Sequence, residues 1–316
     1  MAGKKIIAVA GATGAQGGGL ARAILADPNA SFQVRALTRD PGSVKARALA
    51  AQGAEVVAAD VDDPDSLARA FDGAYGAYCV TFYWAHMSPE RERAEAANLA
   101  QAVHAAGVEH VIWSTLEDTR RWVPLPDHRM PTLMGQYKVP HFDVKGEMDQ
   151  RFSELGVPVT FLLASFYWDN FIYFGSGPKR GADGTLALTL PIGDAKMAGI
   201  ASDDIGAVAY GILKRGREMI GQRIGAAGEH LTGSEMAVAM SRALGETVRY
   251  SPVTPEVYRS FGFPGADDLG NMFQFYDEFE EVCNEVRDVA RSRQLAPGLK
   301  TFDQWLALHA REIPLD

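Results

Sequence analysis

His141 and Lys145 stand four residues apart in the string HFDVKGE, a spacing that puts an imidazole and an ammonium on one face of a helix, one turn apart. Imidazole exchanges a proton near neutral pH, so the pair could combine an acid or base with a fixed positive charge. A second string, GATGAQGGG (Gly11 to Gly19), follows the apolar run IIAVA almost at once. Glycines at 11, 14 and 17, at a strand-to-helix turn, would bring backbone N–H groups and the positive end of a helix dipole to a phosphate. Such a triplet also fits a tight turn with close helix packing; its place after the first strand selects the nucleotide reading. The second strand ends in Arg39, where an NAD-binding protein carries Asp or Glu for the ribose hydroxyls. A guanidinium suits a 2′-phosphate instead, through charge and its planar fork. Asp40 is the complication, because a carboxylate swung inward favours NAD. The reading is NADP(H), with Asp60 and Val61 after the third strand beside the adenine.

The elements that must hold these residues alternate. Apolar runs and helical patterns follow each other from KKIIAVAG to EHVIWS, then through KGEMDQRFSELG to VPVTFLLAS. Unbroken apolar runs indicate strands covered on both faces, hence a parallel sheet with helices on each side. The expected fold is α/β, a Rossmann-type doubly wound sheet of six strands over residues 1–165. Residues 166–316, where the alternation fails, form a smaller mixed C-terminal lobe with some segments returning to the main sheet. A helix with Ser88 as cap, Pro89 at its first position and Gly107 past its end is well signalled.

Composition narrows the partners. The 316 residues are 47% hydrophobic and 22% charged, with a formal net charge of -9, and the pI is near 5.3. That balance opposes binding nucleic acid, which needs clustered Lys and Arg. The leader-like start MAGKKIIAVAGATG breaks into glycines too early for a signal peptide, and VTFLLASFYW is too short to span a bilayer. Two cysteines, Cys79 and Cys283, make no disulfide framework or metal cage, so a cytoplasmic protein is expected. His86, His104, His110, His128, His230 and His309 show no ligand spacing, so no metal is expected.

The strings GATGAQGG, LTRDP, QGAEVVAADVDD, GAYCVTFYW, HFDVKGE, TLPIGD, FGFPGADDLGNMFQFY and TFDQWL, in this order, resemble the NmrA-like branch of the short-chain dehydrogenase/reductase superfamily, and within it the NADPH-sensing members. The resemblance spans nearly the whole chain, and GFPGADDLGNMF is its most specific string. It implies that Gly11, Ala12, Thr13, Gly14, Ala15 and Gln16 hold the pyrophosphate, Arg39 the 2′-phosphate, and Asp60 and Val61 the adenine. Thr81, Phe82 and Tyr83 would meet the cofactor from the end of the fourth strand. Lys145 would reach the nicotinamide ribose, and Phe166, Tyr167, Trp168 and Asp169 would line the nicotinamide end. Ser43 stands where a second basic residue often accompanies the arginine, with Lys45 nearby.

Catalytic members of that superfamily carry Tyr-x-x-x-Lys, in which the lysine lowers the phenol pKa and the phenol passes a proton to a carbonyl. Here the lysine is kept and the tyrosine is His141, a shorter reach with a different pKa. Tyr137 precedes Pro140, which starts the helix, and so belongs to a loop. Ser114 falls where reductases place a substrate-orienting serine. Two functions stay open. One is a redox sensor that reports the NADPH/NADP⁺ ratio through a regulatory protein partner or a homodimer, with the 119–140 loop and the segment after Asp169 as its mobile parts. The other is an NADPH-dependent reductase of a small carbonyl, quinone or imine, with His141, Tyr137 or water as proton source.

Overall fold

A computed structural model describes residues 4–316; the first three residues of the leader-like start lie outside them. The chain divides into two compact units. The first takes the chain up to Asp118 with Val144–Ala164 and Asp203–Ile224, and the second takes Thr119–Asp143, Ser165–Ser202 and Gly225–Asp316.

The first unit is built from β1 (Lys5–Val9), α1 (Ala15–Ala26), β2 (Phe32–Thr38), α2 (Val44–Ala51), β3 (Glu55–Ala58), α3 (Pro64–Phe71), β4 (Gly76–Cys79), α4 (Pro89–Ala105), β5 (His110–Thr115), α5 (Pro140–Glu154), whose first turn up to Asp143 falls in the second unit, and β6 (Val159–Leu163). Strands β1 to β6 pair in parallel. Six strands were expected and the sheet has seven, because Arg223–Gly225 adds an edge beside β6; this three-residue strand, set in QRIGAAG, is too short and too glycine-rich to show a period. All residues of β4, β5 and β6 are buried, which is why their sequences do not alternate. Helix α4 begins as its sequence signals: the Ser88 hydroxyl accepts from the Arg91 N–H at 3.2 Å and Pro89 opens the first turn.

The helix Ser202–Arg215 also belongs to this layer, and it explains the last glycine of GATGAQGGG. A Cβ on Gly206 would sit 2.0 Å from the Leu20 nitrogen, and one on Gly19 would sit 2.4 Å from the Asp203 carbonyl oxygen. The two helices touch backbone to backbone, a contact that any larger residue forces apart.

The second unit holds β7 (Phe166–Tyr167), α6 (Asn170–Tyr173), β8 (Lys179–Arg180), β9 (Leu186–Leu188) and β10 (Met197–Ile200); the chain then returns to the first unit for α7 (Ser202–Arg215) and β11 (Arg223–Gly225), the helix and strand described above, and the second unit resumes with β12 (Glu229–Leu231), α8 (Gly233–Leu244), β13 (Val248–Tyr250), α9 (Pro255–Ser260), α10 (Ala266–Glu278), α11 (Glu280–Val286), α12 (Val289–Leu295) and α13 (Phe302–His309). Its two small sheets run β12-β10-β7 and β13-β9-β8, the first mixing parallel and antiparallel pairs. Among the described residues no helix is long and apolar enough to cross a membrane. Cys79 and Cys283 are buried and not joined in a disulfide.

The 119–140 loop, expected to be mobile, is tied down within this unit. Asp143, on the first turn of α5, accepts from the Thr119 N–H and hydroxyl with one carboxylate oxygen and from the Lys138 and Val139 N–H groups with the other, at 2.6–3.1 Å. Lys138 is itself buried, its ammonium donating to the carbonyls of Asp127 and Met130. Helix α10 supplies the rest: Asn271 donates to the carbonyls of Pro131 and Lys138, and Gln274 to that of Arg129. Burial pushes the Asp143 carboxyl up to about 6, while the Thr119 and Lys138 donors and Arg120 pull it down.

Candidate functional site

The strand order β3-β2-β1-β4-β5-β6 reverses direction between β1 and β4, and in such sheets ligands bind at the carboxyl ends of the strands at that reversal. Gly11 follows β1 there and Thr81 follows β4. The three glycines of the first turn divide the work. Gly11 has φ +62°, a turn conformation that other residues resist. Gly17 has no room for a side chain: its Cβ would lie 2.5 Å from the Ala10 oxygen and 2.6 Å from that of Gly11. Gly14, the cap of α1, makes no side-chain cap, and its Cβ would meet only the Gly11 oxygen at 3.2 Å. Packing therefore explains Gly17, and the bare, exposed backbone at Gly14 and Ala15 is what an anion would meet.

Arg39 stands exposed just beyond β2, with no hydrogen bond or ion pair among the described residues. The neighbouring carboxylate is engaged: Asp40 accepts from the Gly42 N–H at 2.9 Å. Ser43 caps α2 by accepting from the Ala46 N–H. Asp60 is turned into its own loop, accepting from the Asp62 N–H at 3.1 Å, and the Val61 carbonyl accepts from Asn98. Gln16 joins α1 to two strands: its side-chain oxygen accepts from the Tyr78 hydroxyl and, at 2.7 Å, from that of Ser114. Ser114 is buried inside β5, one residue before its end.

After β4, Tyr83 and Thr81 are buried and Phe82 is exposed. The Lys145 ammonium donates to the Thr81 hydroxyl at 2.6 Å and to the Thr81 carbonyl at 3.2 Å, and pairs with the Glu92 carboxylate of α4 at 2.7 Å. The Lys145 carbonyl accepts from the Thr115 hydroxyl, and Gly146 lets α5 approach Asp118, where a Cβ would sit 2.5 Å from the backbone nitrogen. Behind Glu92 lie His86 Nε2 at 3.5 Å and, 3.6 Å from that nitrogen, the Glu95 carboxylate. These three residues offer donor atoms within 4.8 Å of one another, a grouping that sequence spacing hid. The ring orientation decides its chemistry. Nδ1 accepts from the Ser88 N–H at 3.0 Å, so in the neutral ring Nε2 carries the proton and points it at the two acids, whereas a metal-bound histidine donates from its other nitrogen. Burial and the nearby Glu92 push the Glu95 carboxyl up.

In the second unit His141 is held by Asp268 of α10. Nδ1 lies 2.6 Å from one carboxylate oxygen, and the His141 N–H donates to the other at 3.2 Å. Both side chains are buried. Tyr137 is fully buried, paired with Leu133 through both backbone groups and lying under Arg120. Phe166 contacts Phe171 and Phe273, and Trp168 lies among Phe302 and Trp305. Both rings are thus core of this unit, with Gly199 and Gly228 making space for Trp168. Tyr167 and Asp169 are half-buried, and Asp169 accepts from the Ser202 N–H at 2.8 Å.

The model of the NmrA-like family matches residues 3–306, nearly the whole chain. The chain belongs to the NmrA-like family. An NmrA-like family domain-containing oxidoreductase of Penicillium ochrochloron is 26% identical over 96% of this chain and 97% of its own length. An NAD(P)H azoreductase of Xenophilus azovorans is 31% identical over 79% of this chain and 78% of its own. NmrA, a negative transcriptional regulator solved in complex with NADP, superposes with a TM-score of 0.79 at 25% identity, covering 100% of this chain and 99% of that one; its complex with NAD gives 0.78 at 25% identity over 97% and 95%.

Within this NmrA-like chain two familiar strings now have physical reasons. In HFDVKGE, His141 meets Asp268, Asp143 holds the preceding loop, Lys145 meets Glu92, Gly146 permits close approach, and Glu147 pairs with Arg93 at 3.2 Å. In GFPGADDLGNMF, Gly265 opens α10 at φ +88°, and Asp268 and Asn271 bond the 131–141 segment. Sequence reasoning missed Glu92 and Asp268. Each reads as a charge on a solvated helix face, and only burial distinguishes them.

Proposed function

We propose that this protein binds NADP(H) at the carboxyl edge of the first unit's sheet and acts as a redox sensor, its occupancy by NADPH or NADP⁺ reported to a regulatory protein or a second copy in the cytoplasm. The observation that carries the cofactor choice is the pairing of an exposed, unengaged Arg39 with an Asp40 whose carboxylate is committed to Gly42. A guanidinium without a protein carboxylate suits a 2′-phosphate. The sensor reading is supported by the missing phenol one turn before Lys145 and by the likeness to NmrA, a transcriptional regulator. A sensor must distinguish its two ligands, since a ligand shifts an equilibrium only by its differential affinity for the states. Titration calorimetry with all four nicotinamide nucleotides is the test. NADP(H) should bind more tightly than NAD(H), and Arg39→Ala should lower NADP(H) affinity by about tenfold or more while leaving NAD(H) nearly unchanged. Equal weakening of both would remove Arg39 from phosphate recognition.

A second reading, reductase activity, is favoured by the His141–Asp268 pair and by the azoreductase relative. An Asp on Nδ1 orients an imidazole for proton exchange at Nε2. NADPH oxidation with carbonyls, quinones, imines and azo compounds separates the readings. A sensor leaves the rate near background; a reductase turns over and loses about 10²–10⁴-fold in His141→Ala.

A further inference from the structure

We propose that Glu92 is a positioning residue of the cofactor site, the buried carboxylate that sets Lys145 and Thr81 for contact with the nicotinamide ribose. The inference rests on the reading of Lys145 as the ribose contact and names what holds it there.

Glu92 belongs to α4, and its side chain is fully buried. One oxygen takes both the Lys145 ammonium at 2.7 Å and the Thr81 hydroxyl at 2.5 Å, so a single atom fixes Lys145 of α5 and Thr81 of the turn after β4. The other oxygen has no hydrogen-bond partner and faces the buried His86 Nε2. A carboxylate enclosed in this way requires a cation nearby, and Lys145 is that cation. Of the three Lys145 ammonium contacts, the one to the Thr81 carbonyl is longest, at 3.2 Å. A ribose hydroxyl would exchange with that acceptor, while Glu92 and the Thr81 hydroxyl keep the ammonium in place. His86 and Glu95 stand behind the carboxylate and limit its freedom to swing away.

Glu92→Gln keeps the shape and removes the charge. NADPH affinity should fall about tenfold, the usual cost of losing a charge-assisted bond. Binding of 2′,5′-ADP, which carries the adenine end and no nicotinamide ribose, should stay as in the parent. In a Lys145→Met background the same change should add nothing further, because Glu92 acts through that lysine. Glu92→Asp, which keeps the charge but withdraws it, should show a smaller loss with the same selectivity; it serves as the readout if the glutamine variant does not fold. Parallel loss of NADPH and 2′,5′-ADP would make Glu92 a purely structural residue and overturn the proposal, as would unchanged NADPH binding or additive losses. If Lys145→Met alone binds NADPH like the parent, the ribose reading of Lys145 fails first, and the two failures are told apart.

Discussion

Gly14→Val is expected to fold and to lose NADPH affinity by about a hundredfold or more, whereas Gly17→Val is expected not to fold stably. The two glycines are three residues apart and do different things. At Gly14 the backbone is extended (φ -91°, ψ -171°), a conformation open to valine, and the nearest obstacle is one carbonyl oxygen at 3.2 Å. The cost to the fold is about 1 kcal/mol or less, the scale of a cap change. The added isopropyl group would, however, stand over the first turn of α1, where phosphate oxygens must approach the N–H groups. At Gly17 the Cβ would lie 2.5–2.8 Å from backbone atoms of Ala10 and Gly11, so α1 must leave β1. Thermal unfolding with and without NADPH checks both. A Gly14→Val protein that NADPH stabilises as it does the parent would place the nucleotide elsewhere.

The second large effect is on stability. Asp143→Asn should cost on the order of 3 kcal/mol, because four donors converge on two carboxylate oxygens and an amide NH₂ must face two of them. Whichever way the amide turns, a backbone N–H, that of Thr119 or those of Lys138 and Val139, is left opposed to another donor. The loop it organises carries Tyr137 and leads into His141, so protease cleavage within 119–139 should accelerate in the variant. Denaturant unfolding and limited proteolysis measure this. An unchanged midpoint would mean that the loop is held by Asn271 and Gln274 alone.

How far the sequence disclosed all this depends on whether a residue's role was local. The strand-turn-glycine string, the Ser88-Pro89 cap and the start of α5 at Pro140 are local, and their geometry follows from the residue types themselves. The doubly wound sheet is legible for the same reason, through its unbroken apolar runs. Phe166 and Trp168 show the limit: aromatic residues after a strand are more often core, yet can also line a pocket, and no local pattern tells the two apart; their rings are buried among Phe273, Phe302 and Trp305. Glu92 and Asp268 mark it more sharply. PERERAEA and PGADDLG look like solvated helix starts, and what makes one carboxylate of each string special is a partner 53 or 127 residues away in the chain. No local pattern encodes such a distance.

The division of the chain also governs the order in which this protein can be made. Strand β6 is finished at Leu163, and its edge neighbour is not available until Arg223–Gly225 has been synthesised. Roughly 60 residues separate them, or roughly 3–12 s at a translation speed of about 5–20 residues per second. Throughout that interval the nascent chain presents VTFLL, five residues that are all buried in the finished fold, as an open sheet edge. The first unit therefore cannot close behind the ribosome as its own N-terminal sequence emerges, and its edge stays open to misassociation for seconds in every round of synthesis.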